Sequence, residues 1–305
     1  MIDLLIIGAG PAGLTAAVYG LRAGLKVTVL RGPYGLGQLV QTNEVENFPG
    51  FVEPAPGFEI MDKMEKQAKR LGAEFLDKTA AGLEARHNLI VKTSDGETLD
   101  AKAVIVATGS HARWLGVDGE NQYRGRGVSA CATCDGFFFR GKDVVVVGGG
   151  NTAFEDALFL SKICKSVTLV HRRDVFKAAQ RSVEIVKAEP KIKMKLFYAV
   201  EKIEGDALGV TGVKLRNLQN DSVETAPCQG VFVAVGGIPQ TDFLKGSGVE
   251  LLSGGQVKTD EKCATNIPGL YAAGDCADPY FRQAIIASGS GAKAAIEAIN
   301  HINLN

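Results

Sequence analysis

The sequence has no net charge, because its 34 lysines and arginines balance its 34 aspartates and glutamates. It also lacks a long block of one sign, which is the usual mark of proteins that bind nucleic acid or an acidic membrane surface. We therefore predict that the chain binds neither, and small or neutral-surfaced partners are favoured. A chain of 305 residues predicts two domains at a soft prior of about 150 residues per domain.

The sequence also lacks a convincing membrane or signal segment. Residues 4–21 form an uncharged run whose length alone would suit insertion into a bilayer. However, Asp3 stands where a signal peptide has its basic region, and glycines and Pro11 interrupt the run. With no targeting signal, the cytoplasm is the predicted location.

Closely spaced cysteines are few. Of six cysteines, only Cys131 and Cys134 are near neighbours, so the pattern excludes the disulfide framework of a small secreted protein. Three interpretations stay open for this pair: a redox dithiol, half of a metal site, or packing. A structural zinc ion needs four ligands and this pair supplies two, so a dithiol that exchanges electrons through its thiolates is favoured. The other four cysteines are predicted to be buried.

Glycine is abundant, at 37 of 305 residues against a typical usage of about 7%. Two glycine-rich turns, GAGPAG at 8–13 and GGGNTA at 148–153, each follow an apolar strand and precede a helix and a second strand. This order is typical of a domain that holds a dinucleotide pyrophosphate at a helix N-terminus. Buried-looking strands at 104–110 and 231–237 follow the two turns at similar distances, so each half is predicted to be a complete domain.

The two halves differ where the second strand ends. Neither has the acid that takes an adenosine ribose about 20 residues after the glycines. The second half instead has His171, Arg172 and Arg173, followed by Lys177. This basic cluster suits the 2'-phosphate of NADP(H), which carboxylates would repel.

The end of the chain indicates the nucleotide of the first half. A strand ends at Gly274 and Asp275, and Arg282, Gln283 and Ala284 precede a helix. An acid at a strand end can bind a ribityl hydroxyl, and a helix N-terminus can stabilise negative charge on a reduced flavin. FAD is therefore predicted in the first domain, completed by the C-terminal segment.

The predicted fold is α/β, with two Rossmann-like dinucleotide-binding domains for FAD and NADPH, the second inserted into the first. Residues 1–115 and 243–305 are predicted to form the FAD domain. Residues 116–242 are predicted to form the NADPH domain, which contains the CATC dithiol.

Together these motifs resemble the low-molecular-weight, bacterial-type thioredoxin reductases, and the resemblance extends over nearly the whole chain. The matching motifs are GAGPAG at 8–13, GQLVQTNEVENFPG at 37–50, ATGS at 107–110, SACATCDGFF at 129–138, GGGNTA at 148–153, HRRD at 171–174, and AAGD with RQA near the C-terminus.

The resemblance implies an NADPH-dependent homodimeric flavoprotein that reduces the disulfide of thioredoxin through Cys131 and Cys134, with Asp135 as an acid/base group. The implied FAD contacts, to which we add Gly274, come from Gly8, Gly10, Gly13, Gln38, Asn47, Asp275, Arg282, Gln283 and Ala284. The implied NADPH contacts, to which we add Gly148 and Lys177, come from Gly150, Asn151, Thr152, His171, Arg172 and Arg173. Lys177 stands where the family often has a third arginine, and GGIPQ at 236–240 varies another family segment.

The sequence leaves alternative functions open. The same chemistry could serve a glutaredoxin-like or peroxiredoxin-linked carrier, or the chain could be a non-catalytic flavin redox sensor. At a random C-x-x-C-D, Asp135 would more often be only a helix cap. Phe137, Phe138 and Phe139 could surround the dithiol with apolar side chains, although at least two of them are expected in the core.

Overall fold

The computed structural model describes residues 1–32, 35–42 and 44–304, so Asn43 of the 37–50 motif lies outside the described residues. The chain divides into two compact units, one of Met1–His111 with Ile238–Asn305 and one of Ala112–Gly237. The second unit is thus an insertion in the first, and both have the α/β character that the two glycine motifs predict.

The strands in chain order are β1 (Ile2–Ile7), β2 (Val27–Leu30), β3 (Glu74–Leu76), β4 (Ala80–Ala85), β5 (Leu89–Thr93), β6 (Thr98–Val106), β7 (Ser110–Ala112), β8 (Val128–Ser129), β9 (Asp143–Val147), β10 (Ser166–His171), β11 (Ile192–Leu196), β12 (Tyr198–Asp206), β13 (Gly209–Asn217), β14 (Val223–Pro227), β15 (Gly230–Val233), β16 (Gly237–Pro239) and β17 (Leu270–Ala272). The α-helices are α1 (Pro11–Arg22), α2 (Gly57–Arg70), α3 (Ala132–Asp135), α4 (Asn151–Ile163), α5 (Gln180–Ala188) and α6 (Ala284–Leu304).

The first unit is built on a sheet in the order β3-β2-β1-β6-β5-β4, with β17 paired to the end of β6. Strands β1, β2, β3, β6 and β17 run parallel, whereas β5 and β4 continue the sheet antiparallel. Leu4 of β1 is in register with Val27 of β2 and Ala103 of β6. The central strands are continuous apolar runs because helices cover the parallel part of the sheet.

Two helices of the first unit cross closely at small residues. A Cβ on Gly291 of α6 would overlap the backbone of Ala12 in α1, so glycine is required at this crossing. Helix α2 is amphipathic and buries Ile60, Met61 and Ala68 on one face. These helices bring the N-terminal and C-terminal segments of the unit into one core.

The second unit has a parallel sheet in the order β11-β10-β9-β15-β8 and a separate antiparallel sheet of β12, β13 and β14. In the second of these sheets, β13 pairs antiparallel with both β12 and β14. The core under the parallel sheet contains Phe154, Leu160 and Phe232, all nearly inaccessible to solvent. No helix among the described residues of either unit combines the length and apolar character that crossing a membrane requires.

Candidate functional site

The first glycine turn lies between β1 and α1. Gly8 has φ of +113°, and a Cβ there would overlap the carbonyl oxygen of Ala107. A Cβ on Gly13 would overlap the carbonyl oxygen of Gly8, whereas the space beside Gly10 is open within 4 Å. Gly10 is the N-cap of α1 and no side chain caps the helix. The turn is therefore packed on its inner side and open where the helix N–H groups can bind a phosphate.

Other predicted flavin residues converge on this turn within the first unit. A Cβ on Gly37 would lie 3.3 Å from the Cα of Gly10, which brings the 3₁₀ turn Gln38–Gln41 beside the fingerprint. A Cβ on Gly274 would lie 3.1 Å from the Cβ of Ala12 in α1. The amide of Asn47 donates a 3.1 Å hydrogen bond to Oε1 of Gln283, next to the start of α6 at Ala284.

Asp275 follows β17 and is largely buried. Burial raises the pKa of its carboxyl to about 6, although Arg282 and a hydrogen bond with Ser110 act in the opposite direction. Among the described residues, the buried hydroxyl of Ser288 in α6 has no hydrogen-bond partner. Polar groups inside a core normally have partners, so this part of the unit is suited to a polar ligand such as the flavin.

The second glycine turn lies between β9 and α4. A Cβ on Gly148 would overlap the carbonyl oxygen of Ala234, and one on Gly149 would overlap the ring of His171. Gly150 is the N-cap of α4, has open space beside it and is followed directly by Asn151 and Thr152. The second turn thus repeats the arrangement of the first, with an open face at a helix N-terminus.

The predicted basic cluster follows β10 and lies beside the second turn. The backbone N–H of Lys177 donates a 2.8 Å hydrogen bond to the carbonyl oxygen of Gly149. The side chains of Arg172, Arg173 and Lys177 are exposed. Burial lowers the pKa of His171, and the two neighbouring arginines lower it further. At neutral pH the cluster therefore presents positive charge from its arginines and lysine, with His171 as a neutral ring packed on the turn.

Cys131 and Cys134 form a disulfide at the start of α3. Cys131 is the N-cap residue, and its carbonyl oxygen accepts a 3.1 Å hydrogen bond from the N–H of Asp135. Cys164, Cys228, Cys263 and Cys276 are free and buried, as predicted. Burial raises the pKa of Cys164 to about 11 and that of Cys228 to about 12, so these thiols are poor nucleophiles.

Asp135 has the environment of a proton-exchanging group. Burial raises the pKa of its carboxyl, and a hydrogen bond from Ser129 partly offsets that rise. Ser129 is itself buried, and its Oγ accepts a 3.0 Å hydrogen bond from the N–H of Cys131. The same Oγ lies 3.3 Å from the carbonyl oxygen of Cys131, to which it can donate, so Ser129 is held against the backbone of the disulfide.

Ser129 was not predicted as a site residue from the sequence. The available signal was a serine two residues before a cysteine in SAC, since serine hydroxyls often bond the backbone two positions on. That signal is common in loops and does not by itself indicate a site.

The aromatic residues after the dithiol differ from expectation. The prediction that at least two of them lie in the core is wrong, because Phe137 is 49% exposed, Phe138 is 50% exposed and only Phe139 is buried. Residues Gly136–Phe139 form a 3₁₀ turn, and successive side chains of such a turn point in different directions. Phe139 faces inward, with its ring edge-on to Phe232 at 5.4 Å.

The model of the pyridine nucleotide-disulphide oxidoreductase family matches residues 2–291. The chain belongs to this family. Family membership implies a flavin and a pyridine nucleotide, and the open glycine turns in each unit fit such ligands.

Named relatives refine the comparison and confirm the resemblance to bacterial-type thioredoxin reductases. A thioredoxin reductase of Streptomyces coelicolor is 45% identical over 97% of this chain and 92% of its own. The solved thioredoxin reductase of Giardia duodenalis is 39% identical, with a TM-score of 0.95 and 99% of each chain covered. A glucosaminate ammonia-lyase of Pseudomonas fluorescens is 40% identical over 98% of this chain and 95% of its own.

Proposed function

We propose that the protein is an NADPH-dependent FAD enzyme that reduces the disulfide of thioredoxin. The observation that supports this most directly is the disulfide of Cys131 and Cys134 in a chain with two open dinucleotide turns. NADPH, one proton and oxidised thioredoxin give NADP⁺ and thioredoxin with two thiols. Two electrons leave NADPH and two enter the thioredoxin sulfurs, so the reaction balances.

We assign FAD to residues 1–115 and 243–305 and NADPH to residues 116–242. The flavin contacts proposed are the glycines 8, 10, 13 and 274, together with Gln38, Asn47, Asp275, Arg282, Gln283 and Ala284. The nucleotide contacts proposed are the glycines 148 and 150, together with Asn151, Thr152, His171, Arg172, Arg173 and Lys177. A bound flavin would accept the hydride of NADPH and would pass its two electrons on to the disulfide.

The chain's own residues then perform thiol–disulfide exchange. The thiolate of one cysteine attacks a sulfur of thioredoxin and forms a mixed disulfide, while the other thioredoxin sulfur leaves as a thiolate. The second cysteine of the pair attacks the mixed disulfide, restores the Cys131–Cys134 bond and releases the other sulfur. The leaving thiolates need protons, and we assign their donation to the carboxyl of Asp135.

We further propose a cytoplasmic homodimer that binds neither nucleic acid nor membrane. The neutral overall charge supports the absence of nucleic-acid binding, and the resemblance to the reductase family supports the dimer. Light scattering of the purified protein measures the oligomeric state directly.

One assay tests the proposed function against its alternatives. The purified protein is extracted for flavin, and NADPH oxidation is followed with a panel of oxidised carriers, namely thioredoxin, a glutaredoxin-like protein and a peroxiredoxin. The relative named as an ammonia-lyase makes an amino-sugar acid a necessary negative control. Turnover that is fastest with thioredoxin supports the proposal, whereas protein without flavin, or without turnover on any carrier, contradicts it.

The basic cluster predicts a preference for NADPH. The Arg172→Ala variant is expected to lower the NADPH-to-NADH ratio of kcat/KM by roughly tenfold, because an arginine makes charge-assisted hydrogen bonds to a phosphate. Steady-state kinetics with both cofactors measure the ratio. As a matched control, Arg216→Ala removes a partly exposed arginine of β13 that pairs with Glu201 and should leave the ratio unchanged. An unchanged ratio in Arg172→Ala would remove Arg172 from the nucleotide site.

The exposed phenylalanine beside the dithiol predicts a contact with the protein substrate. Half-exposed aromatic side chains are enriched at protein interfaces, so Phe138→Ala is expected to raise the KM for thioredoxin several-fold, up to roughly tenfold. Flavin reduction by NADPH should not change. The control Leu208→Ala removes a side chain that is 94% exposed in the turn between β12 and β13. Equal KM values for the two variants would place the thioredoxin contact elsewhere.

A further inference from the structure

The segment that follows β10 carries the charges proposed to recognise the 2'-phosphate of NADPH. We call residues 172–179 the basic loop. The side chains of Arg172, Arg173 and Lys177 in this loop are exposed. Ordering a long, exposed side chain on a phosphate costs conformational entropy. This cost is smaller when the backbone is already held near the phosphate, so a fixed loop recognises the phosphate better than a loose one. What holds the basic loop is therefore relevant to cofactor choice.

Two hydrogen bonds connect the basic loop to the second glycine turn. The backbone N–H of Lys177 donates to the carbonyl oxygen of Gly149 at 2.8 Å. The backbone N–H of Ala179 donates to the side-chain Oδ1 of Asn151, also at 2.8 Å. Asn151 is the first residue of α4, and Ala179 is the N-cap of α5. The same asparagine thus belongs to the glycine motif and fixes the far end of the loop.

The middle of the loop is anchored separately. The ring of Phe176 lies 5.0 Å from that of the buried Phe154 and 5.5 Å from that of His171. Nε2 of His171 also lies 3.2 Å from the carbonyl oxygen of Val175. Because these contacts do not involve Asn151, loss of its side chain should loosen one end of the loop without unfolding it.

We propose that Asn151 is a positioning residue that sets the preference for NADPH over NADH by tying the basic loop to the glycine turn. The inference rests on the proposed NADPH function and assigns a specific role to one residue of that site. NADH has no 2'-phosphate and gains nothing from the position of the loop. If the tie is absent, the loop is in place for only a fraction of the time, and the apparent affinity for the phosphorylated nucleotide falls to that fraction of its original value.

Two variants break the same hydrogen bond from opposite sides. Asn151→Ala removes the acceptor. Ala179→Pro removes the donor N–H, and the φ of −59° at Ala179 suits proline. Calorimetry on the flavin-loaded protein would measure binding of two probes, 2',5'-ADP, which has the 2'-phosphate, and 5'-AMP, which lacks it. A side-chain-to-backbone hydrogen bond of ordinary strength corresponds to about a 3- to 10-fold effect, so in each variant the affinity for 2',5'-ADP should fall by this factor more than the affinity for 5'-AMP.

The double variant Asn151→Ala/Ala179→Pro is the critical test, because two changes that remove one interaction are not additive. We expect its ratio of affinities for 2',5'-ADP and 5'-AMP to equal that of either single variant. Additive effects would overturn the proposal, because the two changes would then remove two separate interactions. Equal weakening of both probes by Asn151→Ala would also overturn it, because Asn151 would then act on a part of the nucleotide that both probes share. If Ala179→Pro does not fold, the probe ratio of Asn151→Ala decides alone.

Arg172→Ala separates failure of this inference from failure of the proposed function. If Arg172→Ala weakens 2',5'-ADP selectively and Asn151→Ala does not, the basic loop recognises the phosphate and only the role of Asn151 is wrong. If neither variant discriminates between the probes, the NADPH assignment itself is wrong.

Discussion

Cys131→Ser and Cys134→Ser are each expected to abolish reduction of thioredoxin while leaving reduction of the flavin by NADPH intact. The reason is that the disulfide of these two residues acts after the flavin in the proposed sequence of electron transfers. A serine hydroxyl is not ionised near neutral pH and cannot form a disulfide, so exchange with the partner stops. Stopped-flow absorbance of the flavin and the steady-state thioredoxin assay measure the two steps separately.

A third cysteine provides the matched control. Cys164 is buried in the second unit and its pKa is raised to about 11, so Cys164→Ala should retain thioredoxin reduction at close to the parental rate. If either serine variant also retained that rate, the Cys131–Cys134 pair would lie off the pathway and the proposed function would fail.

The sequence predicted the architecture well where a local motif and a repeated context agreed. Glycines before Pro11 and before Asn151 marked the start of a helix in both units, because a residue without a side chain there leaves room for a phosphate to approach the helix N–H groups. Gly274 and Asp275 predicted that the C-terminal segment returns to the first unit. They follow a strand end, as the first glycine turn does, and an acid at that position can bind a ribityl hydroxyl of a flavin.

The sequence was less informative about side chains whose direction depends on one turn. Phe137, Phe138 and Phe139 are equally apolar, so composition alone predicts burial for most of them. The 3₁₀ turn that contains them directs only Phe139 inward. The hydrogen bond of Asn151 to Ala179 was also not predictable, since it depends on the path of the loop between β10 and α5.

The chemical role of Asp135 was also open from the sequence. A carboxyl directly after a C-x-x-C pair is compatible with a simple helix cap, and spacing does not distinguish a cap from a proton donor. In the structure Asp135 is the last residue of α3 and makes no side-chain cap to the following turn. Burial raises its pKa above the ordinary value of 3.8, which favours the protonated form that a donor requires.

Asp135→Asn is therefore expected to slow thioredoxin reduction by about 10²-fold or more, the usual contribution of a positioned acid/base group. The sign of the pH dependence follows from the raised pKa. A proton donor is active below its pKa, so the parental rate should fall as pH rises through a value above the ordinary range of a carboxyl. The asparagine does not titrate there, and its profile should lack this limb. The pH dependence of the single-turnover rate with thioredoxin measures both effects.

Ser129→Ala tests the same assignment in the opposite way. The hydrogen bond from Ser129 lowers the pKa of Asp135, because it stabilises the carboxylate. Its removal should raise that pKa further and move the falling limb to higher pH, while the carboxyl remains and the rate on the acid side is largely kept. A helix-capping role predicts neither change, since capping affects stability and not the pH of a rate. If Asp135→Asn kept both the rate and the limb, another group would supply the proton, and Asp135 would be only structural.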